Sequence, residues 1–266
     1  MLDRFNRHIT YLRISVTDRC NLRCVYCMPE RGIELIPKDE ILSLEEIADV
    51  VRVAADLGVR KIRLTGGEPL VRQGIVDLTD MIRKIKGIEE IGMTTNGVLL
   101  AQYADDLKKA GLNRVNVSLD SVSPEKYSEI TRGGDLEAVF AGIRAAIKAG
   151  LTPVKINVVR LNKGYDQEIQ AIKEYAEDQG VKIRFISQMD LRTGEFSPVE
   201  GGDGGNCEIC NRLRLTANGM LKPCLFSNRE YSVREHGIRE AFLMALNAKP
   251  EKGIISDTHS FYNIGG

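Results

Sequence analysis

Six cysteines fall in two triplets, Cys20, Cys24 and Cys27 as C-x3-C-x2-C and Cys207, Cys210 and Cys224 as C-x2-C-x13-C, with none left over. Three thiolates within eight residues can wrap one face of a cubane iron–sulfur cluster, whose four irons ordinarily take four cysteines, so one iron stays open to a ligand. An open coordination position makes a metal centre reactive rather than structural. For the first triplet the alternatives are a zinc site short of its fourth ligand and unrelated core cysteines. For the second, a zinc ribbon needs another cysteine pair, and His236 and His259 complete no ligand spacing. A second three-cysteine cluster is the better reading there.

Something must bring two triplets almost two hundred residues apart into use, and the chain between them is patterned for it. Short β-branched runs at Leu12–Thr17, Lys61–Thr65, Glu90–Thr94, Arg114–Leu119, Val154–Val159 and Ile183–Ser187 alternate with stretches of helical period at 44–57, 76–85, 101–110, 136–149 and 166–178. Several of the helices end in a glycine suited to a left-handed cap: Gly58, Gly87, Gly111, Gly150, Gly180. Six βα units predict an open partial barrel or a doubly wound sheet, in which loops at strand ends gather the reactive groups. Those loops carry DRCNLRCVYC, GGEP, TNG and LDS. Residues 1–190 are expected to form this barrel, 191–206 (LRTGEFSPVEGGDGGN) a flexible glycine-rich linker, and 207–266 a small module with a helix near 238–246.

Arg13, Arg63 and Lys155 lie within predicted strands, where a charge is costly unless it faces a polar cavity. Arg212 and Arg214 alternate on an extended segment and so share one side, either the cavity or a solvated face. The 37 basic and 37 acidic residues cancel, so no global field draws in nucleic acid or a membrane surface. No apolar run spans a bilayer, and the start MLDRFNRHITYLR carries charges where a signal peptide has its apolar region, so a cytoplasmic protein is expected.

With LRISVTDRCNLRCVYCMP, KIRLTGGEPLVR, TTNG, NVSLDS, KINVV, RFI, CNRLRLTANGMLKPCLF and a terminal GG in this order, the chain resembles the radical S-adenosylmethionine (SAM) superfamily and, within it, the GTP 3′,8-cyclases of molybdenum cofactor biosynthesis. The resemblance covers nearly the whole length. It implies an open partial (β/α)6 barrel with a C-terminal iron–sulfur extension, two [4Fe–4S] clusters on the two triplets, and SAM bound at the open iron of the first. Electron transfer then yields a 5′-deoxyadenosyl radical, which takes hydrogen from C3′ of GTP so that the sugar carbon closes onto C8 of guanine, held by the second cluster. Tyr26, Gly66, Gly67, Glu68, Ser118 and Met189 match SAM-binding positions. In GGEP, glycines without Cβ let the methionyl group approach and Glu68 takes its ammonium. Arg13, Arg63, Thr94, Lys155, Arg212 and Arg214 match GTP contacts, and Arg184 is a further anion ligand, arginine suiting a triphosphate because its planar fork gives paired bonds. Gly265 and Gly266 would reach into the active site. The implied partners are GTP, a low-potential electron donor and a downstream cyclic pyranopterin synthase receiving the product, and a homodimer is compatible with the resemblance.

Two features depart from the family. The interval 191–206 is several tens of residues shorter than in the family, and Ser187 stands where the family has an acidic residue after RFI. The shortening fits a naturally short homologue or an engineered deletion, the GGDGG run favouring the latter. Other readings are a radical SAM enzyme for another nucleotide or a peptide, a non-catalytic iron–sulfur electron carrier, and a truncated scaffold that retains clusters and GTP affinity.

Overall fold

The computed structural model describes residues 1–160 and 166–256, the side chain of Asp166 excepted. Six strands, β1 (Tyr11–Ser15), β2 (Lys61–Thr65), β3 (Glu90–Thr95), β4 (Arg114–Ser118), β5 (Lys155–Arg160) and β6 (Lys182–Ser187), pair in parallel in chain order. Alternation gives each strand two faces. Leu12, Ile14, Ile62, Leu64, Met93, Val115, Val117, Ile156 and Val158 point into the apolar core with the helices. Arg13, Arg63, Thr94, Asn116 and Asn157 point the other way, into a cavity.

The helices that cover the core are α1 (Leu44–Asp56), α2 (Ile75–Arg83), α3 (Leu100–Lys109), α4 (Pro124–Thr131), α5 (Leu136–Lys148) and α6 (Asp166–Asp178). Helix α1 starts where Ser43 Oγ accepts from the Glu46 amide while the Glu46 carboxylate accepts from the Ser43 amide, a reciprocal cap. Its buried stripe, Ile47, Val50, Val51 and Ala54, follows the helical period. Helix α4 adds to the elements expected from sequence, although Ser123 as cap and Pro124 in the first turn are ordinary start signals.

Beyond the sixth strand the chain does not form a separate body. Strand β7 (Arg212–Leu215) pairs in parallel with β1, and β8 (Met220–Lys222) and β9 (Tyr231–Ser232) continue antiparallel, before α7 (Ile238–Asn247). Among the described residues the nine strands run β6-β5-β4-β3-β2-β1-β7-β8-β9. With β6 and β9 at opposite edges the sheet does not close, so the open partial barrel is the architecture. Residues 191–206, expected as an unpacked linker, are instead tied to the β6 edge. Phe185 and Glu200 exchange backbone bonds of 3.1 Å, Phe196 stacks on Phe226 at 4.5 Å, and the Ser256 amide donates to Leu191 O. Among the described residues no helix is long and apolar enough to cross a membrane.

Candidate functional site

Both cysteine triplets open onto one cavity of about 410 Å³, walled by the polar face of the strands. The first triplet sits on the loop after β1. The Cys27 and Met28 amides both donate to Cys24 O, folding the loop into a tight turn, and Cys20 Sγ accepts from the Leu22 amide at 3.4 Å and Asn96 Nδ2 at 3.8 Å. This loop is held by the GGEP segment. The Gly67 amide donates to Thr17 O and the Glu68 amide to Arg19 O, both at 2.8 Å. A Cβ on Gly66 would fall 2.7 Å from Thr17 O, and one on Gly67 2.7 Å from Asp18 O and closer still to Arg19 O. The glycines are therefore required first by the chain's own cysteine loop, a nearer neighbour than the ligand expected from sequence.

Glu68, 1% exposed, also spends its oxygens inside the protein: Oε1 accepts from the Leu70 amide and Thr95 Oγ1, and Oε2 from the Asn96 amide at 2.7 Å. Oε2 keeps one lone pair for a ligand. Burial pushes this carboxyl up to about 7 despite those bonds. Tyr26 OH donates to Asp120 Oδ2 at 2.7 Å, the other oxygen of Asp120 accepting from the Val159 amide, and burial pushes Asp120 up to about 6.

The cations form rows across the sheet. Arg63 on β2, Arg13 on β1, Arg214 on β7 and Lys222 on β8 are register partners in succession. One step earlier along the strands lie Lys61, Tyr11 and Arg212. Arg63 fits because its partner on β3 is Gly92, where a Cβ would lie 2.9 Å from the guanidinium carbon. Its Nε donates to Tyr11 OH at 3.0 Å and its Nη1 to Met93 O. Burial, then the neighbouring Arg214, lowers Arg13 to about 9, and burial, then Arg212, lowers Arg214 to about 10. For Tyr11 burial works upward, but the charges of Arg63 and Arg13, the Arg63 bond and Arg212 together draw the phenol down to about 8. Like charges placed opposite one another repel, so this wall is built for an anion.

The second triplet lies at the start of β7 and the end of β8. Arg7, salt-bridged to Asp3 at 2.7 Å, donates to the backbone oxygens of Cys207, Pro250 and Glu251. Lys249 Nζ donates to Arg212 O, Pro223 O and Cys210 Sγ.

Of the residues expected from sequence, the six cysteines, Tyr26, Gly66, Gly67, Glu68, Ser118, Met189, Arg13, Arg63, Thr94, Arg184, Arg212 and Arg214 all reach this cavity. Lys155 does not line it. It begins β5, two residues before the lining Asn157 on the same face, and burial and the charges of Arg184, Arg114, Lys182 and Arg63 lower its pKa. Gly265 and Gly266 lie outside the described residues. Tyr11, Asn116, Asn157, Asp120 and Lys249 are additional wall or support residues. Tyr11 was within reach of sequence reasoning, being two residues before Arg13 on a strand.

The residues suit the groups named above. All six thiols are free. Burial, then Asp120, raises Cys24 to about 12, and burial with its neighbouring thiols raises Cys27 further, so these sulfurs become thiolates only against a cationic metal. Among the described residues no three His, Cys, Asp or Glu side chains converge as a single metal ion needs. In the wall, Asn116 Oδ1, Asn157 Oδ1 and Arg212 Nε are buried without a hydrogen-bond partner, polar atoms of the kind a bound ligand satisfies.

Comparison with known proteins gives the same picture. Residues 14–176 match the Radical SAM superfamily. The chain is 44% identical to a GTP 3′,8-cyclase of Alkaliphilus oremlandii (strain OhILAs), covering 100% of this chain and 98% of the relative, in an alignment of 314 positions for a chain of 266 residues. It is 43% identical to a GTP 3′,8-cyclase of Thermodesulfovibrio yellowstonii (strain ATCC 51303 / DSM 11347 / YP87), covering 94% and 95%. Among solved structures, native anSMEcpe with bound AdoMet superposes with a TM-score of 0.66 at 16% identity over 91% of this chain and 81% of that one. Streptococcus suis SuiB bound to S-adenosylmethionine gives 0.56 at 18% identity over 69% and 42%. At such identities these two likenesses concern the fold alone.

Proposed function

The chain belongs to the GTP 3′,8-cyclases of the radical SAM superfamily, and from that membership we propose that it converts GTP to 3′,8-cyclo-7,8-dihydro-GTP in molybdenum cofactor biosynthesis. When bound, a [4Fe–4S] cluster with SAM supplies an electron and a 5′-deoxyadenosyl radical able to take hydrogen from C3′ of the ribose.

The protein's part is to hold and orient. Cys20, Cys24 and Cys27 would hold the first cluster, and Cys207, Cys210 and Cys224, lining the same cavity, a second one that would supply an open iron for guanine. Tyr26, Gly66, Gly67, Ser118 and Met189 frame SAM, with the free lone pair of Glu68 Oε2 available to its ammonium. Arg13, Arg63, Arg184, Arg212 and Arg214, with Thr94, grip the triphosphate by paired, charge-assisted bonds. Lys155, in register with Asn116 and through it with Thr94, contributes its field. Gly265–Gly266 complete the site. In this division of labour residues 1–190 carry SAM chemistry and part of the triphosphate grip, 191–206 bridge, and 207–266 carry the second cysteine triplet, Arg212, Arg214 and the terminal glycines. A low-potential donor supplies electrons, a cyclic pyranopterin synthase receives the product, and the cytoplasm and a homodimer are the setting.

The observation that carries this reading is the row Arg63–Arg13–Arg214, three arginines in register on a wall shared by two cysteine triplets. Its test is anaerobic reconstitution followed by turnover with SAM, GTP and a strong reductant. Formation of 5′-deoxyadenosine and the cyclised nucleotide in equal amounts is expected. Formation of 5′-deoxyadenosine with no GTP-derived product would overturn the assignment of substrate.

A further inference from the structure

Lys249 is 1% exposed and follows α7, outside every motif that points to chemistry. An ammonium has three protons and no acceptor, and here three acceptors receive them: Arg212 O at 2.7 Å, Pro223 O at 2.9 Å and Cys210 Sγ at 3.5 Å. The two carbonyls belong to the strand that follows Cys210 and to the residue preceding Cys224. One side chain thus fixes the spacing between two sulfurs of the triplet and places a positive charge on one of them. Among the described residues none of its hydrogen-bond partners is a carboxylate. A buried charge is retained where an opposite charge faces it. What it faces is Cys210 in the second triplet.

We propose that Lys249 is a positioning residue for the second cluster, tying Cys210 to the segment that leads into Cys224 and raising the reduction potential of the cluster through its charge and its N–H···S bond. This rests on the assignment of a cluster to Cys207, Cys210 and Cys224. A cluster gains negative charge on reduction, so a nearby cation favours the reduced form, and hydrogen bonds to cluster sulfurs act in the same direction. Arg7 fastens the Cys207 carbonyl, and Arg212 and Arg214 add charge near Cys210 and Cys224; Lys249 adds to charge an N–H···S bond and the two carbonyl bonds that set the local geometry.

The test uses full-length protein reconstituted anaerobically, with iron counts and potentiometric titration followed by electron paramagnetic resonance on the parent, Lys249→Met and Lys249→Arg. The parent is expected to hold about eight irons in two titrating centres. Lys249→Met should either lose about half of them or keep them with one centre shifted to lower potential and the other unmoved. Lys249→Arg, which keeps charge and donors, should restore iron content and bring the potential back toward the parent. Parent-like iron and potentials in Lys249→Met overturn the proposal, as does equal iron loss in both variants, which would mean that only the shape of lysine matters. A parent with about four irons overturns the second cluster itself, and Lys249 as its support falls with it.

Discussion

Arg13 on β1 and Arg214 on β7 are direct register partners on adjacent parallel strands, two guanidiniums side by side on the wall of one cavity. Burial lowers the pKa of both, helped by Arg214 for Arg13 and by Arg212 for Arg214, yet at about 9 and about 10 both stay charged at neutral pH. A base whose folded pKa lies below its unfolded one weakens the fold while charged. Arg214→Met is therefore expected to raise the melting temperature of the ligand-free protein by roughly 2–4 °C for each kcal/mol of repulsion relieved. The same change should weaken GTP binding about tenfold or more, a charge-assisted bond being worth ~1.5–3 kcal/mol. Calorimetry with and without GTP reads both. Lower melting together with intact GTP affinity would make Arg214 a structural residue.

Tyr11 offers a spectroscopic handle on the same wall. Its phenol, drawn down to about 8, should appear as a tyrosinate absorbance step between pH 7 and 9 that Tyr11→Phe removes. Because the tyrosinate neutralises arginine charge, GTP affinity should fall as pH rises through this step in the parent and less so in the variant. A titration with no tyrosine ionising below pH 9.5 contradicts this.

For the metal-free protein the sign of a second pH effect follows from Glu68 and Asp120. Their folded pKa values, about 7 and about 6, exceed the ordinary values of 4.5 and 3.8. Between the ordinary and the folded values the folded state binds more protons than the unfolded one, so stability declines as pH rises from about 4.5 to 7. Every tenfold gain in proton affinity on folding is worth ~1.4 kcal/mol. Glu68→Gln should flatten that slope in urea unfolding measured at pH 5 and 7.5. An unchanged slope would remove Glu68 as its source.

Gly67→Ala is expected to displace the first cysteine loop, since the added methyl group would meet the Asp18 and Arg19 carbonyl oxygens. Reconstituted protein should then lose iron at the first triplet and its SAM cleavage, while circular dichroism and the iron of the second triplet persist. Full SAM cleavage in this variant would show that the loop adjusts.

Deleting Gly265 and Gly266 should leave iron content and melting temperature at parent values and abolish cyclised product while SAM is still cleaved, because a small displacement near reacting atoms can cost ~100-fold in rate. Product analysis by mass spectrometry decides it. Parent-level product from the shortened chain would make the tail dispensable.

Much of the barrel was legible because its strands are short apolar runs closed by turn glycines. Lys61–Thr65 and Asp166–Asp178 stand where the periodicity puts them, and Gly58, Gly111 and Gly150 all take positive φ. The cysteines were legible because ligand spacing within a loop is local. Relations made only by folding were not. Nothing local marks Lys249 as a partner of Cys210, 39 residues earlier, or β7 as the neighbour of β1. The strap at 191–206 reads as linker from its glycines, yet its carbonyls at Gly201 and Asp203 accept from Arg184 and Arg212. Gly66 and Gly67 were legible as sites of close approach, but a sequence does not say what approaches.

The insertion of β7 beside β1 also sets an order of events during synthesis. The two strands that bring the cysteine triplets together are separated by about two hundred residues, as the bond between Thr10 and Asn211 illustrates. At ~5–20 residues per second the ribosome needs roughly 10–40 s to deliver the second after the first. Through that interval the β1 edge has unpaired backbone groups, a template for joining another chain. The nascent barrel can thus become sticky at the strand that its own last segment will later occupy, so slow translation or a missing C-terminal segment should show first as aggregation.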